Sequence, residues 1–209
     1  MKWIITISAI LLFALAGCGK DKQSTNELIT VDVTKNYPEK ELTLQDFMDV
    51  EYIPLETNDE FVTQGKVMAI GAEVILITNW ANDGNLFVFD RKTGKALKKI
   101  NRKGQGGEEY IGITEIVLDE ANKEIFVIAY TGSKISVYDL DGNFKRSFKA
   151  AGTESHVNTF NYDRENLISY VPDNSLENPS NAIPPYYLIF SKQDGSIIRK
   201  ISIPFDEVK

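Results

Sequence analysis

Short runs of alternating apolar and polar residues recur along the chain, and this pattern predicts β-strands. Three segments align with one another: residues 86–100, 135–149 and 187–201. Each contains an alternating run, a polar turn with glycine and a second alternating run, as in a β-hairpin. The turn glycines, Gly94, Gly142 and Gly195, are 48 and 53 residues apart. The chain is therefore predicted to repeat one structural unit.

Two further apolar runs precede each hairpin, so that every repeat contains four strands rich in Ile, Val, Phe and Tyr. The runs are KVMAI and EVILITN, then ITEIVLD and EIFVIAY, then VNTFNYD and NLISYVP. Four-stranded units repeating at about 40 to 50 residues predict propeller blades, here residues 66–100, 113–149 and 157–203. A sandwich with accidental similarity is the alternative. The one helical signal is TLQDFM, where Thr43 and Asp46 are placed to cap a single turn.

The N-terminus has a different pattern. Lys2 is followed by an uncharged, mainly apolar run that ends in small residues. This run is somewhat short for a transmembrane helix, which needs about 20 apolar residues, so residues 1–17 are predicted to be a cleaved leader. Residues 18–28 then form a polar tether, and residues 29–209 a partial propeller. A plain signal peptide with a stray cysteine and a retained membrane anchor are the alternatives.

The sequence LAGC at residues 15–18 resembles the bacterial lipobox, in which cleavage precedes a lipidated cysteine. The resemblance implies that Cys18, the only cysteine, carries palmitate-type lipid and anchors the protein to a membrane. No thiol would then remain for a disulfide or a cysteine metal site. Gly19, where aspartate is the inner-membrane retention signal, favours the outer membrane. The side of that membrane, periplasmic or surface, stays open.

The segments GQGGEEY, IVLDEANKEIFVIAY and SKISVYDLDGNFKRSF resemble NHL-type repeats. The whole mature chain is similar to the six-bladed β-propeller lipoproteins of Bacteroidetes, which carry a lipobox, an IPLET-like segment, a DRKTGK hairpin and a glycine-rich connector. The NHL pattern often ends its second strand in V-A-D, but this chain has VIAY, so the role of that aspartate does not transfer.

The resemblance also implies that blades are missing, because three blades make only the N-terminal half of a six-bladed ring. The segments ELITVDV and MDVEYIPLE are expected to complete the last blade of a full ring. We expect a truncated chain with unpaired strand edges at both ends, which is an aggregation hazard.

The balance of charged residues excludes some classes of binding partner for the protein. The net charge is −7, and about −8 without Lys2. Nucleic-acid binding needs a basic face, so no nucleic-acid partner is predicted. By the same reasoning an anionic membrane is a poor partner for the globular part.

Two loops resemble a phosphate-binding loop and a calcium-binding loop, but their residues do not support either assignment. KINRKGQGGEEY has three glycines beside cations, but a phosphate loop precedes a helix, whereas strands flank this segment. Glu108 and Glu109 would also repel phosphate, so the segment is read as a connector between blades. DLDGN at residues 139–143 lacks the further oxygen ligands of a calcium loop and is read as a hairpin turn.

Catalytic chemistry has few candidates. His156 is the only histidine, so a triad or a histidine metal site would rest on one side chain. No catalytic residue, cofactor or metal is predicted. The alternative is an envelope lyase or hydrolase with its site in the central channel, which would need the missing blades.

A ligand face is predicted from strand alternation, because loops between second and third strands would share one face with the blade connectors. The candidate residues are Trp80, Arg102, Lys103, Tyr110, Tyr130, His156, Tyr186 and Tyr187. Aromatic rings beside polar groups suit a glycan, a peptide or another envelope protein. The alternative is that the rings only pack the loops. The sequence thus predicts a binding or scaffold module of unknown ligand.

Overall fold

The structure is a computed structural model that describes residues 31–129, 134–149, 157–172 and 184–203. The chain divides into two units, Met1–Val50 and Glu51–Lys209. In the first unit, Leu44–Asp46 forms a single 3-10 turn. The carboxylate of Asp46 accepts hydrogen bonds from the N–H of Thr43 at 2.7 Å and from its hydroxyl at 3.2 Å. This confirms the capped turn predicted from TLQDFM.

The second unit consists of three four-stranded antiparallel sheets in which the strands lie in chain order. The first sheet contains β1 (Lys66–Ile70), β2 (Val74–Thr78), β3 (Asn85–Asp90) and β4 (Ala96–Asn101). The second contains β5 (Glu115–Asp119), β6 (Glu124–Ile128), β7 (Lys134–Asp139) and β8 (Phe144–Lys149). The third contains β9 (Val157–Asn161), β10 (Asn166–Val171), β11 (Tyr186–Ser191) and β12 (Ile197–Ser202). This confirms the all-β fold of four-stranded propeller blades.

The segments expected to complete a last blade are not strands where the structure describes them, at residues 31–33 and 48–56. The physical reason is that a strand needs a neighbouring edge for its backbone hydrogen bonds. The three described blades already have four strands each. No helix in the described residues is long and apolar enough to cross a membrane.

Hydrophobic cores lie between successive blades. Leu76 and Val88 of the first blade pack with Ile125 and Val127 of the second. Phe126 and Val137 on the opposite face of the second blade pack with the third. Each fully buried side chain of this kind stabilises the fold by about 1.5–3 kcal/mol. Successive side chains of a strand point to opposite faces of the sheet, so the second blade has an apolar face on each side.

The first blade is covered on its free face by the preceding segment of chain. Ile53, Leu55 and Phe61 pack there against Phe87 and Phe89. The ring of Phe61 lies 5.7 Å from that of Phe89 in an edge-on arrangement. Glu56 N–H donates to the carbonyl of Gly94 at 2.8 Å, so this segment also touches the hairpin turn.

The first strands of the blades lie side by side, since β5 neighbours both β1 and β9. These are the inner strands of the propeller, and β4, β8 and β12 are the outer strands. Each outer strand has a β-bulge near its start, with one extra residue: Leu97, Lys145 or Ile198. A bulge on an edge strand disfavours pairing with another sheet.

The ends of β4 and β8 reach the hairpin turn of the next blade. The guanidinium of Arg102 donates to the carbonyl of Gly142 from Nε at 3.3 Å and from Nη2 at 3.2 Å. A Cβ on Gly195 would overlap the carbonyl oxygen of Lys149. At the outer edge, the connector that follows one blade therefore lies next to the hairpin turn of the following blade. Successive strands rotate by about 20–25°, so three pairings swing the outer strand far from the inner one.

Candidate ligand-binding site

The predicted ligand face divides into separate groups in the structure. Tyr130 and His156 lie outside the described residues, as does the predicted lipid site Cys18. Among the other six residues, Arg102, Lys103 and Tyr110 meet at the connector between the first two blades. Trp80 lies in a loop of the first blade. Tyr186 and Tyr187 are adjacent on β11.

Tyr110 is a core residue. Its side chain is 1% exposed, and its hydroxyl donates to the carbonyl of Gly84 at 2.7 Å. The same oxygen accepts the N–H of Arg102 at 3.1 Å, while Lys103 Nζ donates to the carbonyl of Asn82 at 2.8 Å. Burial raises the pKa of the Tyr110 phenol. The group fixes the connector to the first blade.

The glycine-rich connector is organised around a lysine. Lys134 Nζ donates to the carbonyls of Gly106, Gly107 and Glu109 at 3.2, 2.8 and 2.8 Å. The Tyr138 hydroxyl donates to the Glu108 carbonyl at 2.7 Å, and burial raises the pKa of Tyr138 to about 12. A phosphate loop presents N–H groups to its ligand, whereas this loop directs carbonyls at a cation. The geometry therefore favours a structural connector.

The remaining aromatic residues have different surroundings. Trp80 is 70% exposed, and Lys66 Nζ lies 5.2 Å from its ring centroid. Tyr186 is buried between the second and third blades, with Lys200 Nζ 3.7 Å from its ring. Tyr187 is half exposed on the opposite side of β11, and its ring lies 5.5 Å from that of Tyr170. Of these three, only Trp80 is mainly exposed.

A cavity that the sequence did not indicate lies at the carboxyl ends of the inner strands. Its volume is about 880 Å³, and β1, β5 and β9 all contribute to its wall. Ile70, Phe160 and Tyr162 line it and are 63%, 60% and 52% exposed. The VNTFNYDRE segment does show alternating aromatic residues, but nothing local to it reveals the two other strands.

The carboxylates beside the cavity already have partners. The Glu120 carboxylate accepts the N–H groups of Ala72, Glu73 and Val74 at 2.6, 2.8 and 3.2 Å. Partial burial opposes ionisation of Glu120, but these hydrogen bonds outweigh it and lower the pKa. The Asp163 carboxylate accepts hydrogen bonds from the side chain of Asn166 and nearby N–H groups, and its pKa is also lowered.

A buried ion pair closes one wall of the cavity. Lys192 Nζ lies 2.6 Å from Asp119 Oδ2, and both side chains are at most 5% exposed. The ammonium also donates to the carbonyl of Asp163 at 2.7 Å. Removing one partner of such a pair would leave an uncompensated buried charge, so the pair holds the second and third blades in register.

Two polar side chains at the cavity have no bonding partner among the described residues. Within the described residues, the Arg164 guanidinium and the Tyr162 hydroxyl make no hydrogen bond or ion pair. The backbone of Arg164 is fixed, because its carbonyl accepts Asn122 Nδ2 at 2.9 Å. No group of His, Cys, Asp and Glu in the described part of the chain is arranged to hold a metal. The site therefore presents apolar walls, aromatic edges, a phenol and a free cation.

Three four-stranded blades with adjoining inner strands define a β-propeller. Residues 19–206 match a family of 6-bladed beta-propellers, and the chain belongs to that family. No curated protein matches the sequence.

The comparison with solved structures finds a protein of the same fold with a TM-score above 0.5. A Bacteroides fragilis protein described as exported is 22% identical with a TM-score of 0.58, and the match covers 79% of this chain and 46% of that one. A KlHsv2 variant with loop 6CD replaced by a Gly-Ser linker is 12% identical, covering 67% and 42%, with a TM-score of 0.45. The computationally designed Ika4 protein is 16% identical, covering 73% and 79%, with a TM-score of 0.42. The chain thus spans about half of the Bacteroides fragilis structure.

Proposed function

We propose that the protein is a lipid-anchored, extracytoplasmic β-propeller that acts as a ligand-binding module. Its membership of the propeller family and its similarity to an exported protein support this location and class. The lipobox-like LAGC supports the anchor on Cys18. The observation that carries the binding role is the cavity at the carboxyl ends of β1, β5 and β9, with Arg164 and Tyr162 uncommitted.

The chemistry of the cavity favours a short glycan or peptide that bears a carboxylate. Phe160 and Tyr162 offer aromatic surface to a sugar ring or an apolar side chain. Arg164 is suited to a carboxylate, because its planar guanidinium forms paired hydrogen bonds. The volume of about 880 Å³ falls within the range of small-molecule sites.

The experiment compares this cavity with the predicted ligand face. The purified full chain is titrated with uronic-acid oligosaccharides and with peptides that end in a free carboxylate. We expect Tyr162→Ala and Arg164→Gln each to weaken binding about tenfold, which corresponds to about 1.4 kcal/mol. Trp80→Ala is the matched control, since Trp80 is also an exposed aromatic residue, and we expect it to bind normally. Loss of binding in Trp80→Ala with normal binding in Tyr162→Ala would move the site to the predicted face.

The anchor is tested separately in cells. Labelled palmitate should be incorporated into the wild-type chain and not into Cys18→Ser. Labelling that persists in Cys18→Ser would contradict lipid attachment at this residue.

A further inference from the structure

The three outer strands carry an unusual charge distribution. β4, β8 and β12 contain seven cations and no Asp or Glu: Lys98, Lys99, Lys145, Arg146, Lys149, Arg199 and Lys200. The whole chain has a net charge of −7, with 30 carboxylates. The outer strands are therefore purely cationic in their charged residues, although the protein as a whole is acidic.

Most of these cations are not neutralised. Lys145 and Arg146 form ion pairs, both with Glu124. The other five form no ion pair within the described residues, and all five are exposed. Lys99 and Lys200 instead lie over the rings of Phe87 and Tyr186. Their charge is consequently available to an external anion.

The outer strands follow one another end to end. After β4, Arg102 contacts the Gly142 carbonyl in the turn that leads into β8. After β8, Lys149 lies against Gly195 in the turn that leads into β12. Arg102 and Lys103 extend the cationic run between the first two strands. We call the seven strand cations together with Arg102 and Lys103 the basic track; Asp141 and Asp194 interrupt it in the two turns.

Protection of sheet edges accounts for only part of this pattern. Charged residues on an edge strand discourage pairing with other sheets, and lysine is common there. An acidic side chain blocks pairing by the same like-charge and desolvation effects, so edge protection does not explain why the acids are absent from all three outer strands of an acidic chain.

We propose that the basic track binds an acidic polysaccharide. Blades radiate from the centre of a propeller, so a flat anionic membrane would touch one outer strand at a time. An extended polymer can follow all three strands and place its carboxylates near successive cations. Affinity that comes from such contacts falls steeply with salt, because bound counterions are released.

Binding of the purified full chain to polygalacturonate tests the proposal. The track variants are Lys98→Gln/Lys99→Gln and Arg199→Gln/Lys200→Gln. The control is Lys35→Gln/Lys40→Gln, which removes the same charge from lysines whose side chains are 70% and 69% exposed. We expect each track pair to weaken binding about tenfold at low salt and to reduce the salt dependence, with the control unchanged. All the substituted residues are exposed, so unchanged circular dichroism is expected in every variant.

Three results would overturn the proposal. One is the absence of polygalacturonate binding by the wild type. Another is equal weakening in the control and track pairs, which would reflect net charge alone. The third is binding to phosphatidylglycerol vesicles without binding to polygalacturonate, which would make a membrane the partner. Polygalacturonate also contains the uronic acids that the cavity would bind, so the track and control pairs are compared in a Tyr162→Ala background as well. A loss of binding by the track pairs that persists in this background is independent of the cavity, so failure of this proposal is distinguishable from failure of the cavity site.

Discussion

At the residue scale, the hairpin glycines have both a conformational and a packing role. Gly94, Gly142 and Gly195 have φ of 71°, 83° and 74°, a region that L-residues rarely adopt. Gly142 also lies against Ile100, because a Cβ there would be 2.8 Å from Ile100 Cγ1. A glycine recurs at this position in every blade for two independent physical reasons.

These two roles can be separated by substitution. Gly65 has φ of 75° and no atom within 4 Å of an added Cβ, whereas a Cβ on Gly94 would overlap the Pro54 carbonyl. We expect Gly65→Ala to lower the free energy of unfolding by roughly 1–2 kcal/mol through backbone strain alone. Gly94→Ala should cost about 1–3 kcal/mol more through overlap. Urea unfolding measures both values, and equal losses would contradict the packing role.

Residue environments were the least predictable part of the site. Tyr110, Tyr186 and Trp80 are all aromatic residues with one polar group, so residue type does not distinguish them. Tyr110 and Tyr186 are nevertheless buried, whereas Trp80 is exposed. Lys192 occupies a turn position, and its burial depends on Asp119, which is 73 residues away. Burial is decided by contacts between blades, and local sequence does not encode them.

At the element scale, the strands were predictable because their causes are local. Alternation and turn glycines placed all twelve strands, with ends that differ by a residue or two, as for EVILITN and Val74–Thr78. The bulges at Leu97, Lys145 and Ile198 were not predicted, because one extra residue hardly disturbs a short alternating run. Strand twist was missed for a similar reason, since it accumulates over a sheet.

An ion pair between β6 and β8 makes the stability of the second blade depend on pH. Glu124 on β6 accepts two hydrogen bonds from Arg146 on β8, at 2.7 and 2.8 Å. Burial raises the pKa of Glu124, but Arg146 and Lys145 outweigh it and lower the pKa below the ordinary 4.5. The resulting stabilisation is present above 4.5 and is lost as pH falls through the lower pKa of the folded state.

We therefore expect Glu124→Gln to be destabilised near neutral pH and to approach wild type as the solution is acidified below the ordinary pKa of 4.5. Chemical unfolding at a series of pH values measures this difference in free energy. Glu165→Gln serves as the control, because Glu165 is exposed and forms no ion pair within the described residues. A Glu124→Gln difference that stays constant on acidification would contradict the pairing as its cause.

At the scale of the whole molecule, the third blade has an open apolar face. Leu86 and Ile135, the residues in register with Tyr187 in the first two blades, are each 1% exposed, whereas Tyr187 is 40% exposed. Phe160 extends the same face through its pairing with Ile168. Uncovered apolar surface of this kind favours association between molecules.

We expect the chain to self-associate with rising concentration through this face. Tyr187→Glu should shift the equilibrium towards monomer, because association would then bury a carboxylate. Trp80→Glu places the same charge at another exposed aromatic residue and should leave association unchanged. Sedimentation equilibrium measures the mass, and equal effects of the two substitutions would indicate that net charge, rather than the open face, controls association.

Properties of the whole molecule were predictable only where they follow from adding up local properties of the sequence. The repeat predicted the propeller, because each blade encodes its own strands. The cavity joins three inner strands from different repeats, so no single motif marked it. Net charge gave a misleading view of the surface, because a total of −7 conceals outer strands whose only charged residues are cations.

The contact between each hairpin turn and the preceding chain also has a consequence for folding in time. Gly94 rests on Pro54, Gly142 on Ile100 and Gly195 on Lys149, so each turn docks on chain already synthesised. A nascent protein presents its N-terminal portion first, and domains commonly fold in that order. Each blade can thus dock on a surface that is already formed when the blade emerges, so the blades can assemble in chain order during synthesis.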